Sequence, residues 1–167
     1  MSNPDFDKYL AERPLLYFSA YTSLQVEMLN RTESDIIGML ENMYKDANTI
    51  NNVYSLFWLW TLGAYEVVRT MTQAKSSFSA TVHEKLLNYK RKISKIRIPF
   101  AKQEYQGKKK PIFNEASISG MDETKGDMFF RVEGTEYSIR SLMEEFRILM
   151  SSINRSDIIH KHQESYK

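Results

Sequence analysis

Val53-Tyr54-Ser55-Leu56-Phe57-Trp58-Leu59-Trp60-Thr61-Leu62 is apolar on nearly every side when wound as a helix, which is expected only where other helices surround it. The uncharged run extends from Val53 to Tyr65, and its 13 residues are too few to cross a bilayer. A buried core helix over about 52–73 is therefore expected, with Trp58 and Leu62 mostly buried. Its second half gains a polar stripe at Glu66, Arg69 and Gln73, spaced three and four, with the acid on the N-terminal side where the pair is better oriented.

What surrounds this helix is read from the flanking periods. From Pro14, a good first helical residue, apolar side chains recur at Leu15, Phe18, Tyr21 or Leu24, Met28, Ile36, Ile37, Leu40, Met43 and Tyr44. The spacing of three to four predicts one long, bent helix ending near Asp46, although the polar patch 30–35, with Thr32 and Asp35 as a capping box, leaves room for two. After a connector at 75–79, Val82, Leu86, Tyr89, Ile93, Ile96 and Phe100 share one helical face. Pro99 predicts a kink or a restart there, with the helix ended by Gly107 and the lysines that follow. Beyond Pro111, Ile118-Ser119-Gly120, the turn 122–126, Met128–Val132, the turn Glu133-Gly134 and Thr135–Ser138 read as a small antiparallel ribbon. Ser138 then caps a last helix whose apolar face is Ile139, Leu142, Met143, Phe146, Leu149, Met150 and Ile153.

The expected fold is mainly α: a bundle of four to five helices with a small antiparallel β-ribbon inserted before the last helix. At 167 residues the chain can bury roughly 70% of its unfolded surface in one core. A single domain over 1–167 is expected, with 1–13 and 154–167 as mobile tails.

Charge is the strongest functional signal. The run 84–110 holds ten Lys or Arg against Glu84 and Glu104, a net +8 in a chain that sums to +2, so the remainder carries −6. Concentrated positive charge speaks of partners rather than fold. On the basic helix, residues 82–105, the anion-binding candidates are Lys85, Lys90, Arg91, Lys92, Lys95, Arg97 and Lys102. Two readings stay open. These cations contact nucleic acid or an acidic protein, with Tyr89, Phe100 and Tyr105 free to stack on bases, or they form a solvated face balanced by neighbouring acids.

Other chemistry is sparse. No cysteine is present, which removes disulfides, thiolate metal sites and a cysteine nucleophile and fits a cytoplasmic location. The N-terminal residues lack a basic stretch followed by an apolar one, so no secretory signal is expected. No phosphate loop, zinc-protease motif or dinucleotide fingerprint occurs; no cofactor, no metal and no membrane association are expected. Glu66 and Arg69 are read as a possible buried polar pair, and His83 beside Glu84 as a surface residue. Exposed apolar faces on so small a bundle make a homodimer the expected assembly.

The last candidate is Arg155-Ser156-Asp157-Ile158-Ile159-His160, with four residues between arginine and histidine and His162 extending the relation to six. In a helical bundle this spacing resembles the HEPN family, the higher eukaryote and prokaryote nucleotide-binding domains, many of which are metal-independent ribonucleases. The resemblance implies that Arg155 steadies a phosphate and that His160 transfers a proton as an RNA 2′-hydroxyl attacks, chemistry suited to a planar guanidinium and a near-neutral imidazole. Two functions are thus carried forward: a non-enzymatic binding protein acting through its basic helix, and a HEPN-like ribonuclease of toxin or defence type.

Overall fold

Asp46 sets where the central helix begins. Its carboxylate accepts from the backbone N–H groups of Asn48 and Thr49 at 2.6 and 3.3 Å and from the Thr49 hydroxyl at 2.9 Å, satisfying donors that the first helical turn leaves free. The computed structural model describes residues 4–104, 107–108, 110–112 and 118–164. Its elements are α1 (Pro4–Ala11), α2 (Leu15–Phe18), α3 (Ala20–Leu40), α4 (Ala47–Gln73), α5 (Ala80–Lys102), β1 (Gly120–Asp122), β2 (Asp127–Val132), β3 (Thr135–Ser138) and α6 (Ile139–Ser151). The fold is mainly α, with the ribbon immediately before the last helix, as expected.

The central helix α4 packs against α3 on one side and α5 on the other. Gly63 lets α3 come close, since a Cβ there would meet Leu29 Cδ2 at 3.1 Å, and Trp60 Nε1 donates to the Leu29 carbonyl at 3.2 Å. The buried tryptophan is Trp60, at 1% exposure, whereas Trp58 is 36% exposed. Trp58 is thus more exposed than expected, while Leu62 is mostly buried. α4 is not enclosed on every side, because Leu59 is exposed and Trp58 lies at the surface with its Nε1 donating to the Phe100 carbonyl at 3.0 Å.

The first helical stretch also differs. Ser19 adopts an extended conformation and caps α3, accepting from Thr22 N at 3.3 Å, so the chain breaks there rather than in the patch 30–35. A 3-10 turn, Met43–Lys45, then separates α3 from α4. Thr32 caps nothing, as its hydroxyl donates back to the Met28 carbonyl. The restart rotates α3: its buried line is Thr22, Val26, Leu29, Glu33, Ile36 and Leu40, while Tyr21, Leu24 and Met28 are exposed.

In α5, Pro99 lies in the final turn of one uninterrupted helix. The helix stops at Gln103, which takes a left-handed conformation (φ 54°) and donates its N–H to the Pro99 carbonyl at 2.8 Å. The helix therefore neither restarts at Pro99 nor runs on to the expected termination at Gly107.

The ribbon is an antiparallel meander, β1-β2-β3, with Phe129 opposite both Gly120 and Ser138. Glu133 and Gly134, both at positive φ, make the two-residue turn whose twist suits a hairpin. Alternation sends Met128, Phe130, Val132 and Tyr137 inward. Phe130 stacks on Phe57 of α4 at 5.3 Å between centroids and meets Phe100 of α5 edge-on at 5.2 Å. β2 also sets the start of α6. Buried Asp127 accepts from Arg140 N at 3.2 Å and from the Ser138 hydroxyl at 2.5 Å, while Ser138 Oγ accepts from Ser141 N at 3.0 Å. The predicted face of α6 is buried throughout.

In the segment after α6, expected to be a mobile tail from residue 154, residues 155–159 are joined to the fold. A 3-10 turn, Arg155–Asp157, leads to an antiparallel bridge between Ile158 and Phe78. Ser79 N donates to the Asp157 carbonyl at 2.8 Å and Ile159 N to the Ser77 carbonyl at 2.9 Å. The cause is Ile158, 4% exposed, which seats in the core beside the connector of α4 and α5. At the other end, 4–11 forms α1, and Arg13 pairs with Glu27 of α3 at 3.0 Å.

Candidate functional site

The buried line of α5 fixes which way its cations point. With Val82, Leu86, Tyr89, Ile93 and Ile96 in the core, Lys85, Arg91, Lys95 and Lys102 are exposed, whereas Lys90, Lys92 and Arg97 are half-buried. Two of the seven are neutralised by neighbouring helices. Lys92 pairs with Glu145 of α6, and Arg97 reaches Glu66 of α4 at 4.0 Å while lying over the Tyr65 ring at 4.8 Å. Arg91 donates to the Asn88 side chain at 3.1 Å. Lys90, Lys95 and Lys102 form no ion pair among the described residues. Lys85 acts at longer range on Asp157, whose carboxyl is held below the ordinary aspartate range chiefly by the Asn154 N–H, then by the Ser79 hydroxyl. Arg91, Lys95 and Lys102 fall within about 40° of one another round the helix over a rise of about 17 Å, a basic strip that Glu84 and Asn88 precede on the same line, with Lys85 exposed about a quarter turn away.

The aromatic residues of this helix do not serve that strip. Tyr89 is buried with its hydroxyl donating to the Leu142 carbonyl at 2.9 Å, and burial pushes its phenol well above the usual range. Phe100 is packed among Tyr54, Phe57 and Phe130. Tyr105 lies outside the described residues. Base stacking by Tyr89 and Phe100 is therefore excluded by packing. His83, expected at the surface, is half-buried with Nε2 3.1 Å from the Thr72 carbonyl, linking α5 to the end of α4.

Glu66 and Arg69 do form a pair, with Arg69 Nε 2.7 Å from Glu66 Oε2. The pair is not buried, however: the side chains are 45% and 41% exposed. Gln73 and Arg97 extend it into a surface network, whose members contribute little to stability in water. The expectation of a buried polar pair is corrected.

Arg155 and His160 occupy the docked C-terminal segment. The guanidinium of Arg155 lies 4.0 Å over the Tyr17 ring and its Nη1 donates to the Ile158 carbonyl at 2.8 Å. His160 is exposed. The arginine is thus turned toward its own segment and α2, and the histidine toward solvent.

One polar group was missed by the sequence reading. Glu33 stands on the buried line of α3 between Leu29 and Ile36, its side chain only 10% exposed. Its Oε1 accepts from Arg147 Nε of α6 at 3.3 Å, while Oε2 has no partner. Burial raises its carboxyl above the ordinary glutamate range, and Arg147 opposes that only in part. The protonated form is thereby favoured on folding, so this group's contribution to stability is complete below the ordinary glutamate range and is lost as pH rises through the raised value. The signal was present as an acid at the repeat position shared by Val26, Leu29, Ile36 and Leu40. Among the described residues no cluster of His, Asp and Glu is arranged to hold a metal ion, and no helix is long and apolar enough to cross a membrane. Compared with models of known protein families, with curated proteins and with solved structures, the chain has no match.

Proposed function

We propose that this chain is a non-enzymatic, cytoplasmic binding protein that presents the outer face of α5 to an acidic partner protein. The observation carrying this reading is that Lys95 and Lys102 are exposed and free of ion pairs among the described residues, with Arg91 on the same strip and exposed Lys85 beside it. Unneutralised charge along a rigid helix speeds encounter with a complementary surface and fixes its orientation. An acidic protein is favoured over single-stranded nucleic acid because Tyr89 and Phe100 are packed inside, leaving no stacking platform from them.

The test is a titration with a fluorescent polyglutamate peptide and, separately, with single-stranded RNA at low salt. The parent is expected to bind the peptide, and replacement of Lys85, Arg91, Lys95 and Lys102 by Gln to weaken that binding about tenfold or more. RNA bound more tightly than the peptide would assign the strip to nucleic acid instead. The HEPN-like ribonuclease has less support, because Arg155 is engaged by Tyr17 and Ile158; RNA cleavage in chelator, abolished by His160→Ala, would establish it over the binding reading.

Self-association belongs to the same reading. Leu24 and Met28 of α3 and Leu59 of α4 are exposed, and Met28 and Leu59 border a groove of about 330 Å³ between the two helices. A closed two-fold dimer would cover them. Sedimentation at micromolar concentration is expected to give twice the 19.6 kDa chain mass; a single species at the chain mass would remove the dimer.

A further inference from the structure

A surface tryptophan is held at the end of the basic strip. Trp58 of α4 is 36% exposed, and its indole N–H donates at 3.0 Å to the carbonyl of Phe100, two residues before Lys102. That carbonyl lies in the last turn of α5, beyond the reach of the helix's own N–H groups. The hydrogen bond therefore fixes the ring in one orientation. A ring already fixed loses little freedom when a partner covers it.

The ring has apolar neighbours on the same surface. α4 and α5 run antiparallel, with Trp58 level with Phe100 and Tyr65 level with Arg97, so Leu62 and Ile98 fall level with each other between these pairs. Both are partly exposed. Ile98 also stands between Lys95 and Lys102 along α5, and within about 60° of each round the helix. Its outer side thus belongs to the strip. Glu66, one turn beyond Leu62, is the nearby acid and is engaged by Arg69 and Arg97.

Charge decides what can cover this apolar surface. Lys95 and Lys102 form no ion pair among the described residues, and Arg91 is exposed on the same line. A purely apolar partner would leave these cations unanswered, and a polyacid would leave the tryptophan uncovered. Interfaces concentrate binding on a few such anchors, with Trp and Arg prominent among them, while charge at the rim gives orientation.

We infer that the α5 surface takes an acidic protein segment carrying one aliphatic side chain, leucine or isoleucine, which packs on Trp58, Leu62 and Ile98 while flanking carboxylates meet Arg91, Lys95 and Lys102. The inference rests on the acidic-partner reading and adds a selecting residue to it. The cations bring acidic segments in, and Trp58 determines which of them stays.

The experiment is an NMR titration of the intact chain with two peptides of equal charge at constant ionic strength: a glutamate peptide with one central leucine, and its counterpart with serine there. The leucine peptide is expected to bind about tenfold more tightly and to shift the Trp58 indole N–H signal more than that of buried Trp60. Trp58→Ala is expected to bring the leucine peptide down to the affinity of the serine peptide. Should that variant fold differently from the parent, Ile98→Gln is expected to reduce the preference for leucine as well. Equal affinity of the parent for the two peptides, or a preference unchanged in the folded variants, overturns the inference and leaves the acidic-partner reading standing. Binding of neither peptide overturns both. Single-stranded RNA that shifts the Trp58 signal and binds more tightly than the leucine peptide overturns the inference in favour of base stacking on Trp58.

Discussion

Trp60→Ala is expected to lower the free energy of unfolding by about 3 to 5 kcal/mol, through lost burial and the cavity left behind. Trp60 lies between α3 and α6. Its indole N–H donates to the Leu29 carbonyl, its ring stacks on Phe57 at 5.9 Å, and it meets Phe146 edge-on at 5.5 Å. Removing it opens the contact between three helices and leaves the neighbouring rings without partners. Trp58→Ala, two residues earlier, removes a partly exposed ring and one hydrogen bond, and is expected to cost only about 1 to 2 kcal/mol. Urea denaturation of the two variants beside the parent measures both. Equal midpoints for the two would mean that the core is not assembled around Trp60.

Ile158→Ala is expected to cost about 2 to 5 kcal/mol, the range for a buried isoleucine cut back to Cβ. That is a large effect for the single apolar anchor of an otherwise polar segment. It follows from the bridge to Phe78 and from the hydrogen bonds joining Asp157 and Ile159 to the α4–α5 connector. His160→Ala, at an exposed position, is expected to change stability by no more than about 0.5 kcal/mol. Amide exchange supplies a second reading, with the N–H groups of Ser79 and Ile159 protected in the parent and faster in Ile158→Ala. A neutral Ile158→Ala together with unprotected amides would return the C-terminal segment to the status of a tail.

The elements most legible in the sequence were those whose local chemistry and burial agree. The ribbon is marked by β-favouring residues between Gly- and Asp-rich turns, and α6 combines a serine cap with an unbroken apolar face. Both lie where they were expected. The phase of α3 was not legible, because its buried line includes Thr22 and Glu33 while Tyr21, Leu24 and Met28 sit outside. Counting apolar residues selects the exposed stripe, and only the cap at Ser19 resets the rotation. The same limit applied in α4, where Phe57, Trp58, Leu59 and Trp60 occupy four successive directions and periodicity could not choose among them. The docked segment was obscured for a different reason. Ile158 is one apolar residue in a polar run, and its burial depends on a bridge to Phe78, 80 positions away. For the site, sequence reading found the cations of α5. It could not tell which of them neighbouring helices neutralise, because Glu145 and Glu66 approach Lys92 and Arg97 only in the folded bundle.

Whether the outer face of α5 is a binding surface or a solvated one is open to direct test. The direct measurement is the affinity of the parent and of the variant carrying Gln at 85, 91, 95 and 102 for the same acidic peptide, followed as ionic strength rises. Binding by the parent is expected, weakening steeply with salt as the charges are screened. The variant is expected to bind about tenfold more weakly at low salt and to depend on salt much less, with unchanged thermal unfolding. A parent that does not bind, or a variant with the parent's affinity and salt dependence, would contradict the binding surface.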